Sequence, residues 1–253
     1  MKIIIFGSNG FLGKITKELL IDNGHNVIDI PRIDISSYSN FKNLPIDVDV
    51  VINCAAKIPG TTPLEYEDME KVNTAGASNV ARWVIDNKIS HLVHCSTLSI
   101  VTRPDNKYAI SKRLGEEAVI KIAPNSSILR FSAIYGPGMK WLGVIPNFIT
   151  DAKTGKKLQI SRGASADFIY IDDAAKAVVA AAEKSVKGII NVASGKETSI
   201  ETLARIILYF TNRSIDDFNI DSPVVDITRM KKELGIEPEM SIQDGIVKTI
   251  YFK

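Results

Sequence analysis

Apolar residues are gathered into short runs separated by stretches with helical spacing. KIIIF (2–6), NVIDI (26–30), DVVINCA (49–55), HLVHCS (91–96) and SSILRF (126–131) are nearly continuous in apolar character, the pattern of strands covered on both faces. Between them, residues 12–24, 66–88 and 107–123 repeat apolar positions every three to four residues, and the first of these stops at Asn23-Gly24. Strands alternating with helices predict an α/β fold built on a doubly wound parallel sheet. After Phe131 the chain turns rich in glycine and proline, with breaks at 135–138 and 161–165, before FIYIDDAAKAVVAAAEK (168–184) and GIINVAS (188–194) resume the alternation. This divides the chain into a sheet domain of 1–134 and 166–194 and a smaller substrate-binding lobe of 135–165 and 195–253.

Composition narrows the function. The 31 basic and 29 acidic residues of the 253 give a net charge of only +2 with no block of one sign, so no nucleic-acid partner is expected. No apolar run approaches the ~18 residues of a membrane span, and a cytoplasmic protein is expected, with no membrane partner. Cys54 and Cys95 sit inside apolar runs and read as buried structural thiols. His25, His91 and His94 form no metal-ligand spacing, so no metal site is expected.

Candidate chemistry begins directly after the first strand, where FGSNGFLGKI carries glycines at 7, 10 and 13. Gly7 permits a tight turn, Gly10 lets the backbone approach a phosphate, and Gly13 lets the following helix pack on the sheet. The helix N-terminus then offers free N–H groups to a pyrophosphate, so a dinucleotide is the expected cofactor. At the second strand, HNVIDIPRIDI places Arg32 just past the strand end and Asp29 inside it. An arginine there favours the 2′-phosphate of NADP, whereas an acid would favour NAD; NADP is preferred, with NAD the alternative.

Taken in order, GSNGFLG, DIS (34–36), NCAA (53–56), VNTAGASNV (72–80), CST (95–97), YAISK (108–112), LRFSAIYGPG (129–138) and FIYIDDAA (168–175) resemble the extended short-chain dehydrogenase/reductase family. This group includes the NAD-dependent epimerases and dehydratases of nucleotide sugars. The resemblance implies a Rossmann fold and a cofactor site of Gly7, Asn9, Gly10, Phe11, Leu12 and Gly13, with Arg32, Asp34 and Ile35 at the adenosine end. It further implies Cys54, Ala55 and Ala56 along the cleft, Asn73 on the long helix steadying the sheet near the active site, and Phe131, Ala133 and Ile134 beside the nicotinamide. Dimers of the family pair their long helices, so a homodimer is an expectation.

Tyr108 and Lys112 lie four apart and share a helix face. An ammonium beside a phenol stabilises the phenolate and draws its pKa down from ~10, which suits proton transfer near neutrality. By the resemblance Tyr108 is the general acid/base, Lys112 tunes it and binds the nicotinamide ribose, and Thr97 holds the reacting oxygen. Two departures bear on the substrate. Only 11 positions separate Thr97 from Tyr108, and Ala166 stands where many members carry an arginine that contacts a diphosphate. Lys57, Ser99, Asn147 and Arg162 are the candidate substrate contacts, with Lys140 and Lys157 as further cations. Leu98 and Ser99 replace the Asp-Glu pair of sugar dehydratases. The expected activity is therefore reduction of a keto group on a nucleotide-linked sugar; an epimerase is the alternative, and a non-catalytic dinucleotide sensor a second one.

Overall fold

The computed structural model describes residues 1–28, 30, 32–59, 66–139, 143–161, 163–211 and 225–251. Strand β1 (Lys2–Phe6) leads into helix α1 (Phe11–Asp22), which ends as Gly24 takes up φ +80°. Strand β2 (Asn26–Ile28), a 3₁₀ turn (Tyr38–Phe41) and β3 (Val50–Asn53) follow. The long helical stretch read from the sequence is one run in three pieces: α2 (Tyr66–Met69), a π-helical segment (Glu70–Gly76) and α3 (Ala77–Asp86). Next come β4 (His91–Thr97), the single-turn α4 (Ser99–Thr102), α5 (Lys107–Ile122) and β5 (Ser127–Phe131).

The remainder comprises β6 (Ala133–Tyr135), α6 (Val144–Thr154), β7 (Ser165–Tyr170), α7 (Ile171–Lys184), β8 (Gly188–Val192), β9 (Glu197–Ser199), α8 (Ile200–Phe210), a π-helical turn (Met230–Leu234) and α9 (Ile242–Tyr251). Six strands form one parallel sheet in the order β2-β1-β3-β4-β5-β8. Helices α1 and α7 cover one face around Ile3, Ile5, Val93 and Leu129, while α3 and α5 cover the other around Ile4, Val51, Leu92 and Ile128. Because both faces are covered, the central strands carry apolar residues at nearly every position, which is why they read as continuous runs. A second sheet, β6-β7-β9, pairs β7 parallel to β6 and antiparallel to β9. Among the described residues no helix is long and apolar enough to cross a membrane.

Two features fix the frame around the cleft. Gly115 of α5 faces the carbonyl of Asn73 in the π-helical segment so closely that a Cβ there would lie 2.0 Å from the Asn73 oxygen. At the sheet's far edge, Arg229 donates to the carbonyls of Ile189 and Lys187, which flank and begin β8, and is itself held by Glu233.

Candidate active site

In this strand order the chain reverses direction across the sheet between β1 and β3, and ligands of open α/β sheets bind at such a point, beyond the C-terminal ends of the strands. The glycine loop after β1 and the Cys54–Ala56 segment after β3 meet there. Gly7 has φ +82°, and a Cβ on it would lie 2.7 Å from the Ala55 nitrogen. A Cβ on Gly13 would lie 2.2 Å from the Gly7 oxygen, so the helix packs on the loop without any side chain between. Gly7, Asn9 and Gly10 are exposed, Phe11 and Leu12 are half-buried, and the first turn of α1 contains no acidic residue. This cradle, floored by backbone and open at a helix N-terminus, fits the pyrophosphate of a dinucleotide.

The side chains singled out for chemistry stand on β4 and α5. Thr97 closes β4 and is buried, and its Oγ1 accepts from the Ser99 backbone N–H at 3.1 Å. The shortened connection to Tyr108 is filled by α4 and a turn, and Asn106 caps α5 by accepting the Tyr108 N–H at 2.8 Å. Lys112, 2% exposed, donates to the Cys95 carbonyl at 2.7 Å. Phe131 is buried at the end of β5, and its carbonyl accepts from Leu98 N at 2.8 Å, tying the two strand ends together. Ala133 is exposed and Ile134 half-buried.

The electrostatics correct one expectation. Burial, followed by the Cys95 sulfur, pushes the Tyr108 phenol up to about 12 in the protein alone, rather than down toward neutrality. Burial also lowers Lys112, against the pull of Cys95, Cys54 and Glu116. The ammonium is engaged with the Cys95 carbonyl, and desolvation of the phenol sets the direction of its shift.

At the adenosine end, the Asp34 carboxylate accepts from Ser36 N at 2.9 Å, which is the first cause of its lowered pKa, with the Lys57 charge a lesser one. Ile35 is buried, and its carbonyl accepts from Asn79. Arg32 is exposed; Asp29 lies outside the described residues. Of the candidate substrate contacts, Lys57 is exposed with its backbone N–H and C=O both bonded to Asn73, Ser99 is half-buried at the start of α4, and Asn147 is exposed on α6. Arg162 and Lys140 lie outside the described residues.

The structure adds contacts that sequence reasoning did not reach. Asn73 also donates to Ser111 Oγ, whose hydroxyl donates to the Tyr108 carbonyl, so one amide links the Lys57 segment to the tyrosine turn. Cys54, just past β3, and Cys95 on β4 place their sulfurs 3.5 Å apart, both free thiols. Their contact, then burial, holds Cys54 well above its ordinary pKa. Glu116, one turn beyond Lys112, is buried between Ser96 and Arg130. Asp167, beside Ala166, accepts from Ser194 N and Gly195 N at 2.8 Å. Asp172 and Asp173 stand in the first turn of α7, but Asp173 accepts from the Glu239 and Met240 backbones instead of capping its helix. Among the described residues no group of three or more metal-ligating side chains assembles.

A doubly wound parallel sheet with a glycine loop at its switch point defines a dinucleotide-binding Rossmann fold. The profile of the NAD dependent epimerase/dehydratase family matches residues 3–193, and the chain belongs to that family of enzymes, within the extended short-chain dehydrogenases/reductases. Curated relatives include a UDP-N-acetyl-alpha-D-glucosaminuronate decarboxylase of Bacillus cytotoxicus, 26% identical over 98% of this chain and 96% of that protein. A putative UDP-glucose 4-epimerase of Methanocaldococcus jannaschii is 28% identical over 98% and 97%. The first alignment runs over 310 positions against a chain of 253 residues, so the relative carries segments that this chain lacks. Among solved structures, Bordetella bronchiseptica WbmF in complex with NAD+ superposes with a TM-score of 0.84 at 23% identity, covering 98% of this chain and 91% of that one. The Thermotoga maritima UDP-glucose 4-epimerase with UDP-glucose gives 0.83 at 20% identity, over 100% and 98%.

Proposed function

We propose that the chain is an NAD-dependent epimerase of a nucleotide-linked sugar, with a UDP-sugar as the substrate class. The observation that supports this reading is the tie between α5 and β4, Lys112 donating to the Cys95 carbonyl two residues before Thr97, in a chain aligned end to end with a putative UDP-glucose 4-epimerase. Relatives that act on UDP-glucose or UDP-glucuronate as epimerases favour this over the net keto-reduction expected from the sequence. The NADP preference read from Arg32 gains no support, since the similar structures hold NAD+ or NADH.

NAD, which the Gly7–Gly13 loop would hold, would supply the hydride acceptor and donor that epimerisation needs. The chain's own residues handle the proton and the oxygen. The Thr97 Oγ1 already accepts from Ser99 N, which leaves its O–H free to donate to the sugar oxygen. Tyr108 takes the hydroxyl proton as that carbon is oxidised and gives it back on reduction. Because the phenol sits at about 12 in the protein alone, its deprotonation relies on positive charge gathered when the site fills, with Lys112 the resident contribution. Lys112 spends one N–H on Cys95 O and retains two for a ribose hydroxyl. A homodimer belongs to the same reading: α3 and α5 leave Ile85 and Ile120 exposed, and light scattering decides it, a clean monomer removing it.

The test is a panel of UDP-sugars followed by proton NMR and absorbance at the NADH band. Epimer formation without net cofactor change is expected, and Tyr108→Phe is expected to abolish it while NAD binding persists. Stoichiometric loss of NADPH or NADH would restore the reductase. Release of carbon dioxide from a UDP-uronate would indicate a decarboxylase. No turnover together with a cofactor-dependent protein complex would favour the sensor.

A further inference from the structure

Glu116 continues the stripe of α5 that carries the site. Tyr108, Lys112 and Glu116 are successive residues four apart, so they lie one above another on a single helix face. Glu116 is 3% exposed. Its carboxylate accepts from Ser96 Oγ at 2.7 Å, from Arg130 Nε at 3.1 Å to each oxygen, and from Arg130 Nη2. Ser96 immediately precedes Thr97 on β4, and Arg130 immediately precedes Phe131 on β5. One carboxylate therefore ties together the three elements that present the oxygen holder, the tyrosine–lysine turn and the residue at the nicotinamide end of the cleft.

A buried carboxylate with one guanidinium partner and one hydroxyl partner does more than fill space. A serine or glutamine could join the same elements by neutral hydrogen bonds, without the desolvation cost of an ion pair. What the charge adds is a field on its neighbour one turn away. The charged and titratable groups acting on Lys112 are Glu116 from α5, Cys95 and His94 from β4, and Cys54 just past β3, with Tyr108 one turn before it on α5; Arg130 from β5 is paired to Glu116. Cys54 is held well above its ordinary range and so is a neutral thiol near pH 7, and His94 is kept neutral by burial and then by the lysine itself. Glu116 is the standing carboxylate in that set.

We propose that Glu116 is a positioning residue that clamps the Tyr108–Lys112 turn onto β4 and β5 and holds Lys112 as an ammonium, with Arg130 as the counterweight to its charge. The inference rests on the proposed function for its catalytic meaning, but the ionisation of Lys112 is measurable without any substrate.

Opposite signs are the signature. Glu116→Gln keeps the shape and removes the negative charge, so Lys112 loses its proton about one pH unit lower. Arg130→Gln leaves Glu116 uncompensated, so Lys112 titrates higher by a similar amount. Ser96→Ala removes one hydrogen bond and no charge, and leaves the midpoint within roughly 0.2 pH units. The readout is a titration of the protein labelled with 13Cε-lysine, with the Lys112 signal assigned by its disappearance in Lys112→Met. In turnover, the alkaline limb of kcat follows the same displacements while KM changes by less than about twofold. If Glu116→Gln does not fold, Arg130→Gln and Glu116→Asp carry the test, the latter holding the wild-type midpoint because it keeps the charge. Gln variants at 116 and 130 that move Lys112 in the same direction, or not at all, overturn the proposal. Midpoints that split as stated in a wild type that turns over no nucleotide sugar would sink the functional reading alone; turnover with unmoved midpoints would sink this one alone.

Discussion

Replacing Gly7 by alanine separates two penalties that the structure places on the same atom. The first is conformational: φ of +82° lies in the left-handed region, which costs an L-residue about 1 kcal/mol or slightly more. The second is steric. The new Cβ would lie 2.7 Å from Ala55 N and 2.9 Å from both Ala55 Cα and Cys54 C. Those are backbone atoms that cannot swing aside, so the two loops must part by about 0.7 Å to reach ordinary contact. Together these predict a loss of roughly 2–4 kcal/mol. Gly24→Ala supplies the control, because it has φ +80° and nothing within 4 Å of its would-be Cβ. It bears the first penalty only, about 1 kcal/mol, or about 2–4 °C in Tm. Since the parting of loops falls at the switch point, Gly7→Ala is expected to weaken NAD at least about tenfold, whereas Gly24→Ala leaves NAD affinity unchanged. Calorimetric titration with NAD and thermal melts measure both. Equal NAD affinity in the two variants would refute the claim that the glycine loop and the Ala55 segment form the cofactor floor.

Other outcomes follow from the same contacts. Burial, and then Lys187, press the His91 pKa down to about 4, while Nε2 lies 2.8 Å from Ser127 Oγ. The unfolded chain protonates near 6.5, so this stability is complete above pH ~6.5 and is lost as pH falls toward 4, by about 2–3 kcal/mol. His91→Gln should therefore flatten the decline in urea midpoint between pH 7 and 4.5; parallel declines would count against it. Gly115→Ala drives a methyl into the Asn73 carbonyl and is expected to cost about 2–3 kcal/mol together with activity, measured by denaturation and turnover. Arg32→Ala should leave NAD affinity within about twofold; a variant that loses NADP binding selectively would return the preference to NADP.

Much of the frame was readable because burial on both faces leaves continuous apolar runs, and because residues four apart on a helix share a face whatever lies around them. That rule sufficed to put Tyr108 and Lys112 on one face of α5, while their roles were read from the family resemblance. The ionisation of Tyr108 did not follow, since it depends on how deeply the phenol is covered and on where the Lys112 ammonium is already spent. The sulfur contact between Cys54 and Cys95, and the Ser96–Glu116–Arg130 cluster, arise from the register of β3, β4 and β5, which no local spacing encodes. The π-helical segment at 70–76 reads as ordinary helix in the sequence, and its close approach to Gly115 through the Asn73 carbonyl is equally invisible there. Asp173 stands in the first turn of α7, yet its partners come from residues 66 and 67 positions later, which no local pattern announces.

The clasp of Arg229 on β8 bears on what the molecule can assemble with. An open parallel sheet ends in a strand whose outward carbonyls invite another chain to add itself, and here the guanidinium, braced by Glu233, answers two carbonyls at that margin. The segment from 225 onward thus works as a selvedge for the sheet. It turns that border away from strand-to-strand growth.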